Sequence, residues 1–280
     1  MDIEVNFGNS CNMNCSYCFV KNFKTDKNIE YNYISKIVGW LNDNDVKINN
    51  FRPVGGEPSL KLDNIIKFIR ELKYKPKHMT FVTNGVNLIQ TVNKLSRIIE
   101  YIKSITIVVS IDKLGYDDNR GMNYDNVMID VINCVEMFND IKFSINRVIS
   151  DQTEMEINNL NKIASVFNIS IMDIPETDEW HNINEDIDNV NKLQIKLCGG
   201  FCYNGLYFYK DSIYLCKLCE NVHNIGLLGN INSNLDSVID SRNALLNTSK
   251  INGCVYEKFN KEVNIYASGK RIWNNYEDCT

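Results

Sequence analysis

Apolar residues recur along the first 174 positions in two alternating rhythms. Short runs with strand character fall near 3–7, 50–54, 78–83, 104–110, 141–148 and 168–173. Between them, near 30–42, 61–74, 90–101, 123–139 and 153–167, apolar positions return at the spacing of one helix face. In the second helical stretch Leu62, Ile65, Ile66 and Ile69 share a face, while Lys61, Asp63, Lys67 and Arg70 lie largely opposite. A helix covering a sheet needs that division. Asp151 and Glu154 have the spacing of a capping box for the fifth helix. Six strand–helix steps predict parallel pairing with right-handed crossovers. With no strong seventh or eighth unit, the expected fold is α/β, a partial (β/α)6 barrel open on one side. Periodicity alone also fits a closed barrel.

Beyond residue 174 the rhythm changes. Residues 175–197 are polar and irregular, then weakly helical, and read as a bridge. Tyr207-Phe208-Tyr209, Lys210-Asp211-Ser212 and Ile213-Tyr214-Leu215 read as strand, polar turn and strand of a hairpin. Leu235 to Leu246 reads as a helix. The expected organisation is a core over 1–174, the bridge over 175–197, and a small cysteine-rich α+β domain with a tail over 198–280.

Composition narrows the class. The chain has 280 residues, 44% of them apolar and 23% charged, which suits a folded protein and excludes a disordered one. The formal charge of −5 is spread without long blocks, so no nucleic-acid partner is expected. No apolar run approaches the roughly 18 residues of a membrane span. Met1 to Phe7 alternates like a strand and carries no basic region or cleavage signature, so a cytoplasmic location is expected.

Ten cysteines remain to be explained. A disulfide scaffold would normally be shorter and secreted, whereas clustered cysteines in a reducing compartment suggest metal. Cys134 lies in an apolar helical pattern and reads as a buried small hydrophobe, and Cys279 as a tail thiol. Cys11, Cys15 and Cys18 can wrap three soft thiolates around one [4Fe-4S] cube and leave the fourth iron without a protein ligand. Zinc would need a fourth ligand nearby, and no cysteine follows before Cys134. Three further motifs fall at the C-terminal ends of predicted strands, where parallel α/β folds bind ligands. They are Val54-Gly55-Gly56-Glu57-Pro58, Thr83-Asn84-Gly85 and Ser110-Ile111-Asp112. A second cysteine group comprises Cys198, Cys202, Cys216, Cys219 and Cys254. Its spacing suits an iron–sulfur cube and a zinc ribbon equally well.

The Cys-x3-Cys-x2-Cys run with Tyr17 before its last cysteine, followed in order by these loops, resembles the radical S-adenosylmethionine (radical SAM) enzymes. The resemblance implies that the unique iron takes the amino and carboxylate groups of S-adenosylmethionine. It places Gly55 and Gly56 where a side chain would obstruct that approach, and Glu57 opposite the ammonium. Tyr17 would lie near the adenine, Ser110 and Asp112 near the ribose, and Asn146 and Val148 beside the nucleoside. The segment between Cys202 and Cys216 is similar to the hairpin of SPASM or Twitch auxiliary-cluster domains, with Asp211 where those families usually carry glycine. That similarity implies one auxiliary [4Fe-4S] cluster held by Cys198, Cys202 and Cys216, with Cys254 or Cys219 as the fourth ligand.

The implied chemistry is cleavage of the sulfonium by one electron and hydrogen abstraction by a 5′-deoxyadenosyl radical, the electron coming from a flavodoxin- or ferredoxin-type donor. The auxiliary cluster would then accept or relay an electron from the substrate. Modification of a ribosomally made peptide is the expected reaction, and oxidation of a small-molecule alcohol the alternative. A non-catalytic iron–sulfur carrier is a third class, but it would have no need of the Gly55-Gly56-Glu57 and Thr83-Asn84-Gly85 loops. Because the core pattern begins at residue 1, no appended peptide-recognition domain is expected before it, which weakens the peptide reading without removing it, since leader recognition can reside on a separate protein. No acid, base or radical-quenching residue is assigned; His78, His181 and His223 have no base-like context.

Overall fold

The computed structural model describes residues 1–18, 28–150, 152–175, 205–215 and 227–247. Strand β1 (Asp2–Asn6) buries Ile3 and Val5 completely and leaves Asp2 and Glu4 half-buried on its other face. A similar alternation governs β2 (Asn50–Val54), β3 (His78–Thr83), β4 (Ser104–Ser110) and β7 (Ile141–Ile149), and β8 (Ser170–Pro175) follows at the more exposed edge. These six strands stand side by side in chain order, each parallel to the next. A small hairpin of β5 (Tyr116–Asp117) and β6 (Met122–Asn123) lies in the connection after β4.

Strand β9 (Gly205–Tyr209) joins the free side of β1 in parallel. Strands β10 (Ser212–Tyr214) and β11 (Leu227–Asn230) then extend the sheet in antiparallel fashion. The result is a nine-stranded sheet whose edges among the described residues are β11 and β8, as a partial barrel with a mixed extension requires.

Helices α1 (Tyr31–Asp43), α2 (Leu62–Glu71), α3 (Leu88–Leu95), α4 (Asp125–Met137) and α5 (Glu154–Val166) follow the parallel strands, and α6 (Leu235–Asn247) follows β11. Helix α2 turns Leu62, Ile65, Phe68 and Ile69 inward. Phe68 stacks on Phe51 at 5.0 Å between ring centroids and meets Phe7 edge-on at 5.9 Å, which joins helix and sheet in one apolar layer. The opposite face of the sheet carries Thr80, Thr106, Ser144 and Asn146, all half-buried. That face is polar and belongs to the barrel interior.

Boundaries follow the expected pattern closely, with four differences. The third helical stretch ends at Leu95 and tightens into a 3-10 segment, Ser96–Tyr101. The capping box lies two residues later than the Asp151–Glu154 reading. Thr153 accepts from the Glu156 amide at 3.3 Å, and Glu156 accepts from the Thr153 amide at 2.8 Å. The β5–β6 hairpin and β11 have no counterpart in the sequence reading, because two- and four-residue strands are too short to show a period. Cys134 is buried in α4, as its apolar surroundings predict.

Among the described residues a charged side chain, Arg147, is buried on the helical side. Arg147 forks onto Asp173 at 2.7 and 3.0 Å and also donates to Ile157 O and Asn161 Oδ1, tying β7, β8 and α5 together. Among the described residues no helix is long and apolar enough to cross a membrane.

Candidate active site

The loop bearing Cys11, Cys15 and Cys18 leaves the C-terminal end of β1 and stays zipped to the loop that leaves β2. Phe7 donates to Val54 O at 3.0 Å, Gly56 to Gly8 O at 3.1 Å and Glu57 to Ser10 O at 2.8 Å, so the parallel ladder outlasts the strands. This pairing explains the two glycines. A Cβ at Gly55, whose φ is +147°, would sit 2.2 Å from Gly8 O, and one at Gly56 would sit 2.4 Å from Ser10 O. Both glycines are therefore required by the approach of two backbones, whatever else occupies the mouth. Asn6 anchors the start of the loop by accepting from the Gly8 amide at 2.7 Å and donating to Tyr207 Oη at 2.9 Å.

Glu57 is 3% exposed and turned into the protein. Its carboxylate accepts from Ser59 N at 3.0 Å, Thr83 Oγ1 at 2.8 Å and Asn84 N at 2.8 Å. Three of its roughly four acceptor positions are used by neighbouring chain, which leaves room for one further donor. The Asn84 amide in turn donates to Asn12 Oδ1 at 2.7 Å and lies 4.0 Å from Cys11 Sγ. The end of β3 thus reaches the cysteine loop through one side chain.

Asp112, 1% exposed, joins four segments. Arg120 donates to it through Nε at 2.6 Å and Nη2 at 3.0 Å, the Val148 amide donates at 2.7 Å, and the Tyr17 hydroxyl donates as well. A ribose could reach this carboxylate only by displacing one of these donors. Ser110 and Asn146 sit opposite each other in the β4–β7 ladder, half-buried on the interior face. The sequence reading missed Arg120 and its hairpin. The available signal was length, since the stretch from Ile111 to Tyr124 between strand and helix exceeds the usual two to six residues.

Electrostatics follow burial. Partial burial raises the Cys11 and Cys15 thiols above their ordinary pKa, and the neighbouring cysteines add to the shift. Arg120 is the leading charge acting on Cys15, in the opposite direction. Burial opposes the Arg120 guanidinium, but the hydrogen bonds and charge of Asp112 outweigh it and raise its pKa. Burial likewise raises the Tyr17 phenol, with Arg120 opposing and Asp112 reinforcing. Burial raises Asp117, and the nearby Asp112 charge adds to that.

The donor set fits an iron–sulfur cluster: Cys11, Cys15 and Cys18 are free thiols on one short loop, near enough for their charges to repel. A cationic iron core would remove that repulsion. Among the described residues no three His, Cys, Asp or Glu side chains converge as a metal site. Cys198, Cys202, Cys216, Cys219, Cys254 and Cys279 lie outside the described residues. So do His181 and His223; His78 bonds Ser104 Oγ at the N-terminal ends of β3 and β4, away from this mouth.

Comparison with known proteins agrees with this geometry. The chain is 25% identical, over 90% of its length and 93% of the relative's, to an uncharacterized protein of Methanocaldococcus jannaschii. Its fold is similar to that of anSMEcpe with bound AdoMet, with a TM-score of 0.62 and 15% identity over 87% of this chain and 83% of that one. It is also similar to SuiB of Streptococcus suis bound to the precursor peptide SuiA, with a TM-score of 0.60 and 18% identity over 84% of this chain. The chain spans only 63% of the SuiB length. Residues 5–160 match the family described as the Radical SAM superfamily, a span that includes the cysteine loop and every strand-end motif above. The chain therefore belongs to the radical SAM superfamily, a class of enzymes that bind S-adenosylmethionine at a [4Fe-4S] cluster and generate a 5′-deoxyadenosyl radical.

Proposed function

We propose that this radical SAM enzyme modifies a peptide by hydrogen abstraction followed by oxidation. The observation that carries the reading is the continuous sheet whose edges among the described residues are β11 and β8, with a largely polar inner face. An extended peptide needs such a long surface with donors and acceptors. The same overall fold occurs in anSMEcpe solved with bound AdoMet and Kp18Cys peptide, at a TM-score of 0.61 and 15% identity, and in SuiB with SuiA.

Within this reading Cys11, Cys15 and Cys18 hold the core cluster. The chain's own contribution is placement. Gly55, Gly56 and Glu57 fix the floor beside the cysteine loop, and the remaining acceptor position of Glu57 suits an ammonium group. Thr83 and Asn84 hold Glu57, while Ser110, Asn146 and Val148 line the far side with small or polar groups. Tyr17 supports the loop from behind through Asp112.

An auxiliary [4Fe-4S] cluster completes the proposal, with Cys198, Cys202 and Cys216 as ligands and Cys219 or Cys254 as the fourth. Strand register supports its role. Tyr207 pairs with Tyr214, which sets residues 205 and 215 at one end of the β9–β10 hairpin, the end beside Cys202 and Cys216 in sequence. Asp2 pairs with Gly205, so that end adjoins the start of β1, opposite the cysteine loop. A five-residue strand spans roughly 16 Å. The hairpin brings residues 205 and 215 side by side, so the segments that carry Cys202 and Cys216 leave the sheet from one end, as ligation of one shared cluster requires. A flavodoxin- or ferredoxin-type donor would reduce the core cluster, and a separate protein would present the peptide leader.

The test is incubation of the reconstituted, reduced protein with S-adenosylmethionine and short peptides encoded beside its gene. The expected result is 5′-deoxyadenosine together with a peptide lighter by two hydrogens. Oxidation of a small alcohol with no change in peptide mass would overturn the substrate assignment. About eight irons per chain are expected for two cubes, against about four and one zinc if the second site is a zinc ribbon.

A further inference from the structure

We infer that Arg120 is a positioning residue for the core cluster, clasping the Cys15–Cys18 segment and placing a fixed positive charge behind it that eases cluster reduction. The inference rests on the reading of Cys11, Cys15 and Cys18 as cluster ligands. Four observations carry it. The Arg120 side chain is 6% exposed and held in a bidentate fork by Asp112. Its guanidinium carbon lies 5.3 Å from the centre of the Tyr17 ring, between Cys15 and Cys18 in sequence, and 5.8 Å from that of Tyr124. The same hairpin grips the loop at two further points. Ser16 donates its amide to Asn119 O at 2.7 Å and its hydroxyl lies 2.9 Å from Asn119 Oδ1, while Tyr124 Oη lies 3.9 Å from Met13 Sδ. Asp117 orders the turn by accepting from the Asn119 and Arg120 amides at 2.9 and 3.3 Å.

Charge explains why an arginine stands there. A [4Fe-4S]2+ cube with three thiolates carries a net −1, and one added electron makes it −2. In a site of low dielectric, that addition is opposed unless a fixed cation lies close by. Asp112 keeps the guanidinium charged and aimed, and its own charge is shared with two further donors, the Tyr17 hydroxyl and the Val148 amide. A neutral staple such as glutamine could hold the loop by hydrogen bonds without helping the electron arrive.

The experiment compares the reconstituted holoenzyme with Arg120→Met, Arg120→Lys and Cys15→Ala variants. Iron content and a redox titration followed by electron paramagnetic resonance are the readouts, on the signal that changes when S-adenosylmethionine is added. In Arg120→Met the reduced-to-oxidised ratio at fixed applied potential is expected to fall about tenfold, a shift of about 59 mV toward negative potential for a one-electron couple. Arg120→Lys keeps the charge and loses the fork, so it is expected to recover most of that shift while still losing iron to a chelator faster than the native protein. Asp112→Asn is expected to shift the potential in the opposite direction to Arg120→Met. Equal potentials in native protein and Arg120→Met, or equal shifts in the methionine and lysine variants, would overturn the electrostatic role. Survival of the S-adenosylmethionine-sensitive signal in Cys15→Ala would instead overturn the ligand assignment, and leaves the two failures distinct.

Discussion

Glu57 shows how much a single carboxylate can hold at the mouth of a sheet. Two backbone amides and one hydroxyl converge on it, from the turn after β2 and from the end of β3. Glu57→Gln exchanges one acceptor oxygen for an NH2 group that must face one of these donors. The expected cost is about 1–3 kcal/mol, read as a lower thermal midpoint of the anaerobic protein with its iron left bound. An unchanged midpoint would show that the carboxylate serves only the cofactor. The cysteines were legible in the sequence because ligand spacing is a local property, and Glu57 because it follows two glycines at a strand end. Arg120 was not, since its contacts with Asp112 and with the Tyr17 and Tyr124 rings are brought together only by folding. His78 supplies a pH prediction of its own. Burial lowers its pKa, with Lys103, Lys77 and Lys142 acting in the same direction. A base with a depressed folded pKa favours the native state above its unfolded value of about 6.5. That contribution fades as pH falls toward the folded value. Denaturant titrations at successive pH values should therefore show stability declining on acidification below pH 6.5, and less steeply in His78→Gln.

At the scale of elements, periodicity located the six parallel strands from β1 to β8 and the five helices between them, because each helix buries one face against the same layer. It was weakest where a boundary depends on one hydrogen bond. Both Asp151–Glu154 and Thr153–Glu156 have capping spacing; Asp151 lies outside the described residues, and Thr153 and Glu156 are joined by reciprocal bonds. Thr153→Ala is expected to cost about 1 kcal/mol and to fray α5 from its start, whereas Thr153→Ser, which keeps the accepting hydroxyl, should be nearly silent. Amide exchange at the first turn of α5 distinguishes the two variants. The β5–β6 hairpin was invisible for a different reason. Its strands make few contacts with each other, and what holds them in place is the Ser16–Asn119 and Asp112–Arg120 contacts to other parts of the chain. Pattern within a segment cannot reveal an element whose stability lies outside that segment.

The whole molecule raises the question of whether residues 205–247 unfold with the core. The sequence suggested a separate C-terminal domain because its cysteines and aromatic hairpin break the earlier rhythm. Yet β9 pairs with β1 along four residues, Trp40 of α1 packs on Phe208 at 5.5 Å, and Trp40 donates to Ser233 O at 2.6 Å. The Leu235 amide also donates to Asn44 Oδ1 at 2.9 Å. Strand β1, which leads into the cysteine loop, thus has one hydrogen-bonding edge on β2 and the other on β9. Phe208 is fully buried beneath α1, so Phe208→Ala leaves a cavity expected to cost about 3–5 kcal/mol. If the nine strands unfold as one unit, that loss must appear equally in the exchange protection of β1 and of β3, far from the substitution. An independent C-terminal domain would instead lose protection over 205–230 alone and leave β3 unchanged. The parallel β1–β9 ladder favours the first outcome, because opening β9 strips one entire edge from the strand on which the cysteine loop is built.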